Sequence, residues 1–303
     1  MMDLTEKIQK LKKEKKAIIL AHNYQRAEIQ DIADYVGDSI ELSRKAMQEK
    51  EAEIIVFCAV DFMAESAAIL NPQKKVLLPT LGARCPMAQM LTTDEIRRSK
   101  TLHPNAPVVL YVNTLAEAKA ECDVCCTSAN AVEVINSLDA KTVLFGPDRN
   151  LCEYVAEKTG KRIIPLPEWG FCPTHLLFQP EDVNILKQQN PKAVFMAHPE
   201  CSSETRKVAD FIGSTSKMCR YAKESEATEF IVGTEEGILH RLRKENPQKK
   251  FYIAYEGAVC PNMKLTTLDR VYSSLKEEKY LVKVPENVAA KARAALERMF
   301  QVN

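Results

Sequence analysis

The chain has 303 residues, 46% hydrophobic and 27% charged, which is enough apolar material for a substantial core. A formal net charge of +1 gives no bulk argument for nucleic-acid or membrane affinity, and no apolar run approaches the ~20 residues needed to span a bilayer. Ten cysteines without a signal-peptide core argue against a disulfide framework and for reduced cytoplasmic thiols, some of them used for metal or catalysis.

Met1 to Lys16 reads as a charged amphipathic stretch. A first apolar run, Ile18-Ile19-Leu20-Ala21, ends in His22-Asn23, with Tyr24 beside it. Ile32, Tyr35, Val36 and Ile40 fall at helical spacing, across Asp38-Ser39. A second apolar run precedes Asp61, then come Asn71-Pro72-Gln73-Lys74-Lys75 and Cys85-Pro86. The succession returns as Val108-Val109-Leu110-Tyr111-Val112-Asn113, Thr127-Ser128, Asp148 and Cys172-Pro173. It returns again as Val194-Phe195-Met196-Ala197-His198-Pro199-Glu200, Ser214-Thr215, Glu235, Asn246-Pro247-Gln248-Lys249-Lys250 and Cys260-Pro261. The three Cys-Pro dipeptides are 87 and 88 residues apart, and no other cysteine precedes a proline.

Several markers in one register indicate one unit used three times. Short apolar runs alternating with amphipathic stretches predict an α/β chain of three similar three-layer α/β/α units with parallel sheets. The expected units are 1–103 with Cys85, 104–190 with Cys172, and 191–303 with Cys260 and a C-terminal helix. That helix begins at Pro285, carries Val288, Ala292, Leu296 and Met299 on one face, and is expected to pack across the units.

Equivalent cysteines from three units can meet on a common axis, and three converging thiolates read as a metal site. Structural zinc takes four closely paired ligands and fits poorly. A cubane iron-sulfur cluster on three cysteines leaves one iron open to act as a Lewis acid in dehydration. Cys122-Asp123-Val124-Cys125-Cys126 has redox-like spacing, but it joins a helix end to an apolar segment, which favours buried or incidental thiols. Cys58, Cys152, Cys201 and Cys219 lack register mates and read as small core or surface residues.

Ser39, Ser128 and Ser214-Thr215 are expected where helices start, as anion-binding hydroxyls for a substrate with several carboxylates or a phosphate. His22, Tyr24, His198 and Glu200 follow the first strands of the outer units, and the middle unit presents Tyr111 and Asn113 there. Glu200 reads as a base, Tyr24 or a histidine as its proton partner, and His175 as facing substrate. Neither the dinucleotide nor the P-loop glycine motif occurs among the nine glycines, so NAD or ATP binding is not expected.

These residues together resemble the quinolinate synthase family of de novo NAD biosynthesis. The resemblance rests on Ala21-His22-Asn23-Tyr24, Gly37-Asp38-Ser39, Asp61-Phe62-Met63-Ala64-Glu65, Cys85-Pro86-Met87-Ala88, Tyr111-Val112-Asn113, Thr127-Ser128-Ala129-Asn130 and Gly146-Pro147-Asp148. It continues through Cys172 with His175, His198-Pro199-Glu200-Cys201, Gly213-Ser214-Thr215 and Cys260-Pro261-Asn262-Met263, in family order. It implies three units around a pseudo-threefold axis and one 4Fe-4S cluster per chain on Cys85, Cys172 and Cys260. The implied reaction condenses iminoaspartate with dihydroxyacetone phosphate to quinolinate, losing phosphate and two waters. An aspartate oxidase or dehydrogenase would supply the iminoaspartate. Glu200 and Tyr24 match the family's proton-transfer pair. His22, Tyr111, Asn113, Ser128, His175, His198, Ser214 and Thr215 match its substrate-binding set, with Ser39 a further polar position. The C-x-x-C-x-x-C triplet of some bacterial members is absent, since no cysteine follows Cys260. An aconitase-type hydro-lyase and an iron-sulfur carrier or redox sensor are the alternatives; carriers saturate the cluster with four thiolates.

Overall fold

The computed structural model describes residues 3–302; Met1, Met2 and Asn303, included in the expected outer units, lie outside the described residues. The chain opens with α1 (Leu4–Glu14), β1 (Ala17–His22), α2 (Ala27–Ile32), β2 (Tyr35–Gly37), α3 (Ser39–Gln48), β3 (Ile54–Cys58), α4 (Asp61–Leu70), β4 (Lys75–Leu77) and α5 (Thr93–Leu102). It continues with β5 (Val108–Tyr111), α6 (Ala116–Lys119), β6 (Val124–Cys126), α7 (Ala131–Ser137), β7 (Thr142–Gly146), α8 (Arg149–Thr159), β8 (Arg162–Pro165) and α9 (Pro180–Gln189). A third succession follows as β9 (Val194–Ala197), α10 (Ser203–Lys207), β10 (Phe211–Ile212), α11 (Thr215–Glu224), β11 (Glu229–Gly233), α12 (Ile238–Glu245), β12 (Lys250–Ile253) and α13 (Leu268–Glu277), before the last helix, α14 (Glu286–Gln301).

The strands form three four-stranded sheets, ordered β2-β1-β3-β4, β6-β5-β7-β8 and β10-β9-β11-β12, and every pairing within them is parallel. Each sheet is flanked by helices in a three-layer α/β/α unit, and the shared strand order bears out the triplication read from the cysteines. Central strands such as Ile54–Cys58 are buried at every residue, as a sheet covered on both faces requires. The chain turns outward on opposite sides of each leading strand, which creates a switch point between β1 and β3, β5 and β7, and β9 and β11. Ligands of open parallel sheets bind at the carboxyl ends of strands at such points.

Side-chain to backbone bonds repeat with the strands. Asp34, Asp123 and Asp210 each accept the N–H of Ile19, Val108 and Phe195, at 2.8, 2.7 and 2.8 Å. These bonds tie each leading strand to the turn before its edge strand, and they align His22 with Tyr111 and His198, and Tyr24 with Asn113 and Glu200. Lys161 and Lys249 donate to carbonyls in and just past the last turns of α7 and α11 at 2.5–2.8 Å, and Lys74 donates likewise to Ala46 and Glu49 at the end of α3. Carbonyls orphaned at helix ends are satisfied this way in all three units. Lys74 and Lys249 belong to the repeated Asn-Pro-Gln-Lys-Lys run, and Lys161 is the middle mate that the run does not reveal.

One local expectation fails. Ile32, Tyr35, Val36 and Ile40 do not share a helix: Ile32 ends α2, Tyr35 and Val36 form edge strand β2, and Ile40 lies in α3. A three-residue edge strand between two short helices leaves the same spacing as one helical face, and hydrogen bonding to β1 decides the outcome. The C-terminal helix is as expected, with Ala292, Leu296 and Met299 buried and Val288 half-buried. It packs on α4 of the first unit and on α6 and β6 of the second.

Candidate functional site

The strand ends of all three units open into one cavity. Its wall includes His22, Tyr24, Ser39, Tyr111, Asn113, Ser128, His175, His198, Glu200 and Thr215, together with Cys85, Cys172 and Cys260. Ser214 alone of the expected site residues is not on this wall; it is buried, caps α11 through the Lys217 N–H and donates to Asp38 Oδ2 at 3.3 Å. Ser39 and Thr215 are the first residues of α3 and α11, each a ten-residue helix. Ser128 departs from expectation, because it lies in a turn and α7 begins only at Ala131 behind Asn130.

Each cysteine opens a tight turn in which its Sγ accepts a backbone N–H from three residues on, Ala88, His175 or Met263. Burial still pushes all three thiols above their ordinary pKa, so a metal must displace their protons to bind. Spacing limits what can bind. Among the described residues, the His/Cys/Asp/Glu set whose ligand atoms lie within 4.8 Å of one another is Cys172, His175 and Glu200; the three cysteines do not form such a set. Three thiols on one cavity wall, too far apart to share one ion, fit a group made of several metal atoms. Among the described residues, no fourth cysteine lines the cavity.

Glu200 is 3% exposed, and Tyr111 O–H donates to its Oε1 at 2.6 Å. Its Oε2 lies 2.9 Å from His175 Nδ1, which is also 3.1 Å from Cys172 Sγ. Burial alone would raise the Glu200 pKa, but the neighbouring His175 and His198 rings, together with the hydrogen bonds from His175 and Tyr111, outweigh it and hold the carboxylate below its usual range. His175 Nε2 is 2.9 Å from Thr234 Oγ1, which is bonded in turn to the Tyr24 hydroxyl. One assignment of protons satisfies these contacts: Tyr24 donates to Thr234, Thr234 to His175 Nε2, and His175 Nδ1–H to Glu200. Burial raises the Tyr24 pKa well above the ordinary tyrosine value, so its hydroxyl stays a donor.

His22 and His198 take matching poses. The N–H of Tyr24 donates to His22 Nδ1 at 3.2 Å, and that of Glu200 to His198 Nδ1 at 3.3 Å. Burial lowers both pKa values to about 3, so both rings are neutral and carry their proton on Nε2. Asn113 Oδ1 is buried without a protein partner, an acceptor left for something in the cavity.

The chain matches the family described as quinolinate synthetase A protein over residues 6–301. It is 54% identical over 302 residues to a protein of Pyrococcus horikoshii named quinolinate synthase, covering 100% of both chains. It is 53% identical over 301 residues to one of the same name from Methanosarcina barkeri, covering 99% of this chain and 98% of that one. A third relative of that name, from Dehalococcoides mccartyi, is 54% identical over 299 residues, with the same coverage. The chain belongs to the quinolinate synthetase A family.

Membership of this enzyme family bears out the resemblance read from the sequence. No described helix of this family member is long and apolar enough to cross a membrane. Sequence reasoning about the family motifs missed Thr234, which is fully buried and bonds both Tyr24 and His175. The available signal was its place beside Glu235, which was already in register with Asp61 and Asp148. Cys122, Cys125 and Cys126 lie off the cavity wall; Cys125 and Cys126 are buried, and the Sγ atoms of Cys122 and Cys125 are 3.7 Å apart. Cys58, Cys152, Cys201 and Cys219 are all buried.

Proposed function

We propose that this protein is a quinolinate synthase that condenses iminoaspartate with dihydroxyacetone phosphate, giving quinolinate, phosphate and two waters. The observation that carries the reading is the meeting of three cysteines, one from each unit, with Glu200, Tyr24 and three hydroxyl positions on one cavity wall. The proposal includes one 4Fe-4S cluster per chain, held by Cys85, Cys172 and Cys260. When bound, such a cluster supplies a Lewis-acidic iron that no cysteine occupies, suited to dehydration. It also includes the unit boundaries 1–103, 104–190 and 191–303, a cytoplasmic location where thiols stay reduced, and supply of iminoaspartate by an aspartate oxidase or dehydrogenase.

The remaining chemistry belongs to the chain's own residues. Ser39 and Thr215, on the first turns of α3 and α11, and Ser128 receive the carboxylate and phosphate groups of the two anionic substrates. Neutral His22 and His198 donate from Nε2, and Asn113 Oδ1 accepts a substrate N–H or O–H. Ionised Glu200, oriented by Tyr111 and His175, takes a proton from substrate carbon. Tyr24, whose hydroxyl is positioned by Thr234 and through it by His175, delivers a proton to a leaving oxygen, and solvent restores that proton after product leaves. Val60, Phe62, Met63, Met87 and Met263 form an apolar wall that limits water around the reacting groups.

A second reading has one specific observation in its favour: Cys172, His175 and Glu200 are close enough to hold a single ion. That ion would occupy the groups needed for proton transfer and leave Cys85 and Cys260 without a role. The test is anaerobic assay of the reconstituted protein, with iminoaspartate generated from aspartate and dihydroxyacetone phosphate added. The expected products are quinolinate and one equivalent of phosphate, and a fully loaded cluster that gives no quinolinate overturns the reading.

A further inference from the structure

We propose that Asp61, Asp148 and Glu235 are positioning residues for the cluster, each forming half of a two-point clamp on the loop that carries a cysteine ligand. The proposal rests on the cluster reading above. These acidic residues stand in register in the sequence and have no contact role in the proposed chemistry. Each follows the second strand of its sheet's switch point, at the turns after β3, β7 and β11.

The first half of the clamp is a side-chain bond. Cys85 N–H donates to Asp61 Oδ1, Cys172 N–H to Asp148 Oδ2 and Cys260 N–H to Glu235 Oε1, each at 3.0 Å. The second half runs the other way, between backbones. The N–H groups of Asp61, Arg149 and Glu236 donate to the carbonyls of Ala83, Gly170 and Ala258, at 2.8, 2.9 and 3.1 Å. Each carbonyl belongs to the residue two before the cysteine. The loop is therefore held on both sides of the residue preceding its ligand.

The carboxylates are themselves fixed. Asp61 Oδ1 accepts the Phe62 N–H at 2.9 Å, Asp148 Oδ1 the Leu151 N–H at 2.7 Å, and Glu235 Oε2 the Gly237 N–H at 2.8 Å. Asp148 and Glu235 are 1% and 0% exposed; Glu235 is also paired with Lys264 at 3.0 Å, while the burial of Asp148 is a costly setting for a carboxylate that helix capping alone does not require. The middle loop also demands a glycine, because a methyl group on Gly170 would lie 1.9 Å from the Pro147 carbonyl oxygen. Pinning the cysteine amide fixes where its Sγ points and keeps the following turn in place to donate its N–H to that sulfur. Asp or Glu fills the position in different units while the target amide is the same, which marks the amide as what the position serves.

Groups behind metal ligands typically change metal affinity by about 10–100-fold when removed. The test compares Asp148→Ala and Asp148→Asn with wild type in two measurements, after circular dichroism shows native secondary structure. In metal-free protein, hydrogen exchange over residues 168–178 should be roughly tenfold faster in Asp148→Ala, with Asp148→Asn in between because its amide oxygen still accepts. In reconstituted protein, iron release to a chelator should accelerate in the same order, by about 10–100-fold for Asp148→Ala. Wild-type exchange in Asp148→Ala overturns the clamp, and faster exchange with wild-type iron release overturns its role toward the cluster. If Asp148→Ala does not fold, Asp148→Asn decides by the same two readings. Wild-type protein that takes up no iron-sulfur cluster contradicts the cluster reading as well, while the exchange measurement still reads the clamp alone.

Discussion

Glu200→Gln keeps the visible absorption of the reconstituted cluster and loses turnover by roughly 10²–10⁴-fold. The amide preserves shape and can still accept from Tyr111, whose hydroxyl lies 2.6 Å from Oε1, but it cannot take a proton. The native carboxylate is ionised because His175, His198 and the Tyr111 hydroxyl together outweigh its burial, so it is ready to act as a base without being deprotonated first. Steady-state kinetics under anaerobic conditions checks the prediction, together with an absorption spectrum to show that the cluster is retained. Unchanged turnover removes Glu200 from the mechanism.

Cys85→Ala, Cys172→Ala and Cys260→Ala each abolish the visible absorption of the cluster, whereas Cys125→Ala keeps it. The contrast follows from geometry. The first three thiols face one cavity from three units, while Cys125 is buried in β6 with its sulfur 3.7 Å from Cys122. Each ligand comes from a different unit, so removing one leaves two thiols and, among the described residues, no other cysteine on the wall to take its place. A normal spectrum in any of the first three variants refutes the ligand assignment.

Much of the fold was legible because each leading strand is a short apolar run ending in chemistry. Ile18 to His22, Val108 to Tyr111 and Val194 to His198 carry both the strand and its functional end in a few consecutive residues, so the period exposes them together. Edge strand β2 was not legible, since Tyr35 to Gly37 is too short to show alternation and only its pairing with β1 defines it. Ser128 looked like a helix start because its neighbours in register begin helices, but the Asn130 side chain takes the Thr127 N–H at 2.8 Å and delays the helix. Ser214 matched the substrate-binding set by position, yet its hydroxyl is used by α11 and Asp38. Thr234 and the carboxylate clamps depend on contacts between residues 24 to 210 positions apart, and no local pattern records those partners.

The most direct measurement is the iron and acid-labile sulfide content of the anaerobically reconstituted chain. A cluster on three cysteines predicts iron and sulfide in equal amounts, about four of each per chain. One metal ion per chain without sulfide, retained in Cys85→Ala and lost in His175→Ala, would instead place the metal on Cys172, His175 and Glu200 and contradict the account.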